Sequence, residues 1–96
     1  MARPPIHPGE ILSEQLAELR VSAAELGREL HIPANRVRQI LAGKRAVTAD
    51  TALRLGLFFG TGPEFWVNLQ TRYDLKLAQR SLSPETAERI AAQRVA

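Results

Sequence analysis

Only three residues, His31-Ile32-Pro33, separate two stretches whose apolar residues recur at helical spacing, and the last of the three is a proline. Proline lacks a backbone N–H and its ring clashes with the preceding turn, so a helix accepts it only at its start. One helix must therefore end before His31 and another begin at Pro33, and so short a link forces a sharp corner, the arrangement of a helix-turn-helix. Ser22 with Glu25 reads as a capping box, which opens the first of these helices over about 23–30. The second continues to about Ala42, where Gly43 supplies a left-handed stop. Within the unit, about 23–42, Gly27 lets the two helices approach, His31 takes the turn, and Val37 is buried with Leu26, Leu30, Ile32 and Ile40. That leaves Ala34, Asn35, Arg38 and Gln39 on the outer face of the second helix.

The rest of the chain is punctuated in the same way. Pro8 opens a helix ending near Arg20, with Ile11, Leu12, Leu16 and Leu19 on one face. Thr48 caps a helix over about 49–59, with Leu53, Leu57 and Phe58 expected inward and Gly60 as its stop. Thr61 and Glu64 read as a second capping box around Pro63, opening a helix over about 63–79. Ser83-Pro84-Glu85 starts a last helix over about 84–95, whose apolar face of Ala87, Ile90 and Ala91 is thin enough to fray or to need a partner. No stretch alternates with a period of two for long enough to make a strand. The expected fold is all-α, a compact bundle of five to six helices, and 96 residues amount to a single domain, 1–96.

Several function classes drop out. Without cysteine there is no thiol nucleophile or thiolate metal site, and His7 and His31 are too few for a metal cage, so no metal and no cofactor are expected. His7 reads as a helix cap or a surface imidazole. Ser13, Ser22, Asp50 and Asp74 offer no nucleophile–base pairing, and no glycine-rich phosphate loop follows a strand, which argues against an enzyme. No apolar run approaches the ~18 residues of a membrane span or the ~7–15 of a signal-peptide core. The expectation is a soluble, cytoplasmic protein with no membrane partner.

Charge points to an anionic partner. Between Glu29 and Asp50 the chain carries no acid, while Arg36, Arg38, Lys44 and Arg45 give +4 in a chain of net charge +3. A local basic footprint on an otherwise balanced chain suits nucleic acid at one face. In a helix-turn-helix the start of the second helix enters the major groove, where Asn and Gln pair with adenine and Arg with guanine. Arg36, Lys44 and Arg45 by charge, and the helix starts at Ser22-Ala23 and Thr48 by their unpaired N–H groups, suit phosphate. Arg54, Arg72, Arg80 and Arg89 lack such convergence and read as solvated or interface charges.

These features together resemble the HigA family of antitoxins among the Cro/cI-type helix-turn-helix proteins. The likeness runs from residue 6 to about 78. It rests on His7-Pro8-Gly9-Glu10, Gly43-Lys44-Arg45, Thr48-Ala49-Asp50-Thr51-Ala52 and Pro63-Glu64-Phe65-Trp66 together with the helix-turn-helix. The resemblance implies a λ-repressor-like fold and a homodimer that binds a palindromic operator in double-stranded DNA, represses its own operon, and neutralises a RelE-like mRNA endonuclease toxin. It puts Asn35, Arg38 and Gln39 on bases and Arg36, Lys44, Arg45 and Thr48 near phosphates. Two positions depart from the family pattern: His31 stands where glycine is usual, and Gly27 where alanine is usual. Two other readings stay open, a toxin-sequestering module with little DNA binding and a stand-alone regulator without a toxin.

Phe65, Trp66, Leu69, Tyr73 and Leu77 recur at steps of three and four, the mark of a core-facing stripe. Phe59, Val67 and Leu75 add more apolar surface than one small bundle can cover. The excess favours a two-fold interface built from the helices over about 49–79, with Phe59, Phe65, Trp66, Val67 and Tyr73 as its residues.

Overall fold

The computed structural model describes residues 4–94. Six helices follow one another: α1 (Pro8–Leu19), α2 (Ala23–Leu30), α3 (Ala34–Leu41), α4 (Ala49–Phe59), α5 (Pro63–Ser81) and α6 (Pro84–Ala92). The all-α expectation holds, and no strand occurs among the described residues. The last helix ends at Ala92 with Gln93 as its cap; Val95, at the expected end, lies outside the described residues.

The helix ends explain the angles between the helices. Arg20, His31 and Gly43 all adopt the left-handed conformation, with φ of 57°, 58° and 74°. In each case an amide one residue on reaches back to a carbonyl five residues before it: Val21 to Leu16, Ile32 to Gly27, Lys44 to Gln39. That hydrogen bond closes the last turn and redirects the chain. A left-handed backbone costs a side-chain-bearing residue about 1–2 kcal/mol, and histidine is among those that adopt it more readily.

The core consists of Leu12 and Leu16 from α1, Leu26 and Leu30 from α2, Val37 and Ile40 from α3, Ala52 and Leu55 from α4, Trp66 from α5, and Ile32 and Val47 from the links. Three sequence expectations change here. Leu19 is exposed, because α1 turns away at Arg20 just after it. On α4 the inward residues are Thr51, Ala52, Leu55 and Gly56, while Leu53, Leu57 and Phe58 face outward. The reason is close approach: a Cβ on Gly56 would lie 2.4 Å from the carbonyl carbon of Gly62, so the start of α5 rests directly on α4 where only a small face fits. The Thr61–Glu64 capping box does not form either. Gly62, at φ 82°, is the cap residue of α5, and the Thr61 hydroxyl donates to the Gly62 carbonyl instead.

Along α5 the inward line is Trp66, Leu69, Gln70 and Tyr73, with Phe65 and Leu77 at its exposed margins. Trp66 is wholly buried against the rings of Phe59 and Phe65. It has no surface to offer a partner, which removes it from the expected dimer residues.

Candidate nucleic-acid interface

The corner between α2 and α3 is built around Gly27. A Cβ there would stand 2.9 Å from the Ile32 carbonyl oxygen and 3.2 Å from the backbone of Ala34, so the two helices meet backbone to backbone. Val37 and Ile40 bury the inner face of α3. Opposite them, Asn35 and Arg38 are exposed, and Ala34 and Gln39 are half-buried. Asn35, Arg38 and Gln39 thus lie off the core-facing line, whereas Ala34 sits at the corner against Gly27 of α2 and is half-buried.

The C-terminal end of α3 is held by α1. His7 caps α1 through Nδ1, which accepts the Gly9 N–H at 2.9 Å, and Glu10 reaches back to the His7 N–H at 3.2 Å. Gly9 then lies so close to α3 that a Cβ on it would be 2.0 Å from the Ile40 carbonyl oxygen. The His7 ring meets Tyr73 edge to face at 4.9 Å, which joins α5 to the same point. The His7-Pro8-Gly9-Glu10 run is therefore a socket for α3, and His7 is a buried cap rather than a surface imidazole.

Beyond α3, Gly43 turns the chain and leaves Lys44 and Arg45 exposed. Their loop is tied down by a residue the sequence reading passed over. Gln70, buried on α5, accepts the Val47 N–H at 2.8 Å through Oε1 and donates to Asp74 at 2.9 Å through Nε2. Its presence inside the aromatic stripe, at a core position where a polar group needs partners, was the available signal.

Not every basic residue is free. Arg36 is only partly exposed and donates to Thr51 Oγ1 and, at 3.3 Å, to Asp50 Oδ2. Asp50 also accepts Arg54 Nε at 3.0 Å, and Arg54 Nη1 caps the Leu30 carbonyl at 2.8 Å. The Arg54 hydrogen bond first, and the charges of both arginines, hold the Asp50 carboxyl below its usual range. Arg36 therefore fastens α3 to α4 while keeping part of its side chain exposed, and Arg54 joins α4 to the end of α2. Among the described residues no carboxylate pairs with Arg38, Lys44 or Arg45.

Two helix starts flank the face. At α2 the Ser22 hydroxyl accepts the Glu25 N–H and the Glu25 carboxylate accepts the Ser22 N–H, both at 3.1 Å. These bonds to Ser22 lower the Glu25 pKa, so a carboxylate stays charged at this end. The amide of Ala23 has no acceptor among the described residues. At α4, Thr48 Oγ1 accepts the Thr51 N–H at 3.3 Å. No group of metal-ligating side chains occurs among the described residues. No helix there is long and apolar enough to cross a membrane.

No protein-family model matches the chain. An addiction module antidote protein of the HigA family from Coxiella burnetii matches it in structure with a TM-score of 0.83 and 50% identity, over 98% of this chain and 99% of that one. The chain belongs to the HigA family. Pseudomonas aeruginosa antitoxin HigA, solved with the higBA promoter, matches with a TM-score of 0.80 and 39% identity over 95% of this chain and 96% of that one. Virulence-associated protein I of Dichelobacter nodosus is 47% identical over 78 residues, 80% of this chain and 72% of that protein. The relatives of this HigA-family chain are antidote proteins and helix-turn-helix regulators rather than enzymes.

Proposed function

We propose that this HigA-family chain is the antitoxin of a toxin–antitoxin module: a homodimer that reads a palindromic operator, represses its own operon, and neutralises a RelE-like mRNA endonuclease encoded beside it. The observation that carries the reading is the outer face of α3. It presents Asn35, Arg38 and Gln39 beside the unpaired cations Lys44 and Arg45, on a helix fixed at both ends by structure rather than by ligand. That a structural neighbour, the Pseudomonas aeruginosa antitoxin HigA, was solved with the higBA promoter supports a DNA-binding role for this chain.

In this reading Asn35, Arg38 and Gln39 contact base edges, with Ala34 alongside for a thymine methyl. Lys44, Arg45, the Ala23 amide and Thr48 contact phosphates and set register without reading sequence. Ser22 contributes by shaping the α2 start, since its hydroxyl is already engaged. Dimerisation uses the apolar residues that α4 and α5 leave uncovered, Phe65 and Val67 with the half-buried Phe59 and Tyr73 at their edges. Two-fold symmetry then sets half-sites about one helical turn, ~34 Å, or a multiple of it apart.

Footprinting of the chain's own upstream region tests the proposal, together with co-purification against the product of the adjacent gene. Two protected patches about one turn apart, abolished by Arg38→Ala, and a stable complex with a basic neighbour are expected. Absence of a footprint with a stable complex would leave sequestration alone. A footprint with no co-purifying neighbour would leave a plain repressor.

A further inference from the structure

Between Glu29 and Glu64 the chain carries a single acid, Asp50, and it stands in the first turn of α4, two residues from Thr48. A carboxylate beside a face that meets phosphate repels it, so an acid in this place needs a reason. Two guanidinium groups converge on one of its oxygens, Oδ2: Arg36 of α3 at 3.3 Å and Arg54 of α4 at 3.0 Å. Arg54 is engaged twice, since its Nη1 also donates to the Leu30 carbonyl. Arg36 is held from two sides as well, by Asp50 and by Oγ1 of the wholly buried Thr51, which also accepts the Thr48 hydroxyl at 3.2 Å.

Arg36 differs from Arg38, Lys44 and Arg45 in having this carboxylate partner. It follows Asn35 directly in the first turn of α3, and its side chain keeps 24% of its surface exposed. An arginine is charged at every working pH and matches phosphate through a planar fork of donors. Without Asp50 it would be left with Thr51, a neutral acceptor, against which an anionic phosphate oxygen competes well. Phosphate contacts add affinity for any duplex and carry no sequence information.

We propose that Asp50 is a positioning residue that sets sequence specificity: its carboxylate keeps Arg36 on α4 and off the DNA backbone, which limits attraction to random duplexes and fixes the turn of α3 that bears Asn35. The inference rests on the operator reading of α3 proposed above and assigns it a control. On the operator, base contacts by Asn35, Arg38 and Gln39 hold α3 in place, so a freed Arg36 gains least there. On other duplexes nothing fixes α3, and the freed guanidinium settles on a phosphate.

The test titrates wild type, Asp50→Asn and the double variant Arg36→Ala/Asp50→Asn against the chain's own promoter fragment and a shuffled duplex, by fluorescence anisotropy over a range of salt. The Asp50 side chain is 53% exposed, so an amide of the same shape leaves the core untouched, and circular dichroism checks the fold of each variant. Asp50→Asn is expected to bind the shuffled duplex at least about threefold tighter at low salt, with a salt slope steeper by about 0.9, the increment of one phosphate. Promoter affinity does not rise, so the ratio between the two duplexes falls at least about threefold. The double variant loses the gain. A gain that persists in the double variant would overturn the proposal, because Asp50 would then act only as a repelling charge. Equal tightening on both duplexes, or an unchanged slope, would overturn it while leaving the operator reading of α3 standing. A wild-type chain that binds both duplexes alike would overturn both.

Discussion

Replacing Gly9 with alanine separates two physical arguments that disagree in sign. Glycine inside a helix costs about 0.5–1 kcal/mol relative to alanine, so on helix propensity alone Gly9→Ala should stabilise the protein. The geometry says otherwise. The added methyl would sit 2.0 Å from the Ile40 carbonyl oxygen, 1.4 Å inside the 3.4 Å at which ordinary contact begins, and 2.9 Å from the carbonyl carbon. Both are backbone atoms, so no side chain can swing aside to relieve the clash. Either α1 lifts off α3 or the last turn of α3 opens, and each loosens the packing of Leu12 and Leu16 on Ile40. Overpacking of this kind costs about 1–3 kcal/mol and more where backbone must move, so a net loss of about 3 kcal/mol is expected after the propensity gain. For a domain of this size that lowers Tm by roughly 12–24 °C. Urea unfolding followed by circular dichroism measures it directly. Gly60→Ala is the control, with open space around it but φ of 71°, and should lose only about 1–2 kcal/mol. A Gly9→Ala chain as stable as wild type would refute the socket between α1 and α3.

Three further expectations concern the face and its supports. Gln39→Ala should cost about 1–3 kcal/mol of operator affinity at one base position, whereas Lys44→Ala should weaken all duplexes alike and reduce the salt slope by about one; anisotropy titrations on single-base operator variants distinguish them. Gln70→Leu should leave the Val47 amide without its acceptor and cost about 1–3 kcal/mol, seen in urea unfolding. Asp50 and Glu25 both have folded pKa values below the ordinary ~4, so their contribution to stability is complete above that range and is lost as pH falls through the lowered values. Acid unfolding of Asp50→Asn should therefore show a shallower decline between neutral pH and about pH 3 than wild type does.

What the sequence disclosed and what it hid divide along one physical line. Caps, proline starts and left-handed stops are set by neighbours within four or five residues, so Pro8, Ser22, Pro33, Gly43 and Thr48 mark helix boundaries in the order the structure has them. Facing depends on what approaches from elsewhere in the chain. Leu53, Leu57 and Phe58 are the large residues of α4 and still point outward, because Gly62 rests on Gly56 and the inner face has room only for small groups. A glycine in mid-helix was the clue. Charge alone likewise could not separate Arg36, which clamps α4, from Lys44 and Arg45, which extend from the loop: the distinction lies in Asp50 and Thr51, fourteen and fifteen residues further on. The outer face of α3 was legible because a helix-turn-helix fixes its inner face locally, leaving the outer one by subtraction.

The central claim, that the outer face of α3 reads a specific DNA sequence, is tested most directly by fluorescence anisotropy of the wild-type protein. The chain's own promoter fragment is titrated beside a shuffled duplex of the same composition, at two salt concentrations. The account predicts promoter binding tighter by ~10³ or more, with affinity for both duplexes falling as salt rises. Equal, weak binding to the two duplexes would contradict it.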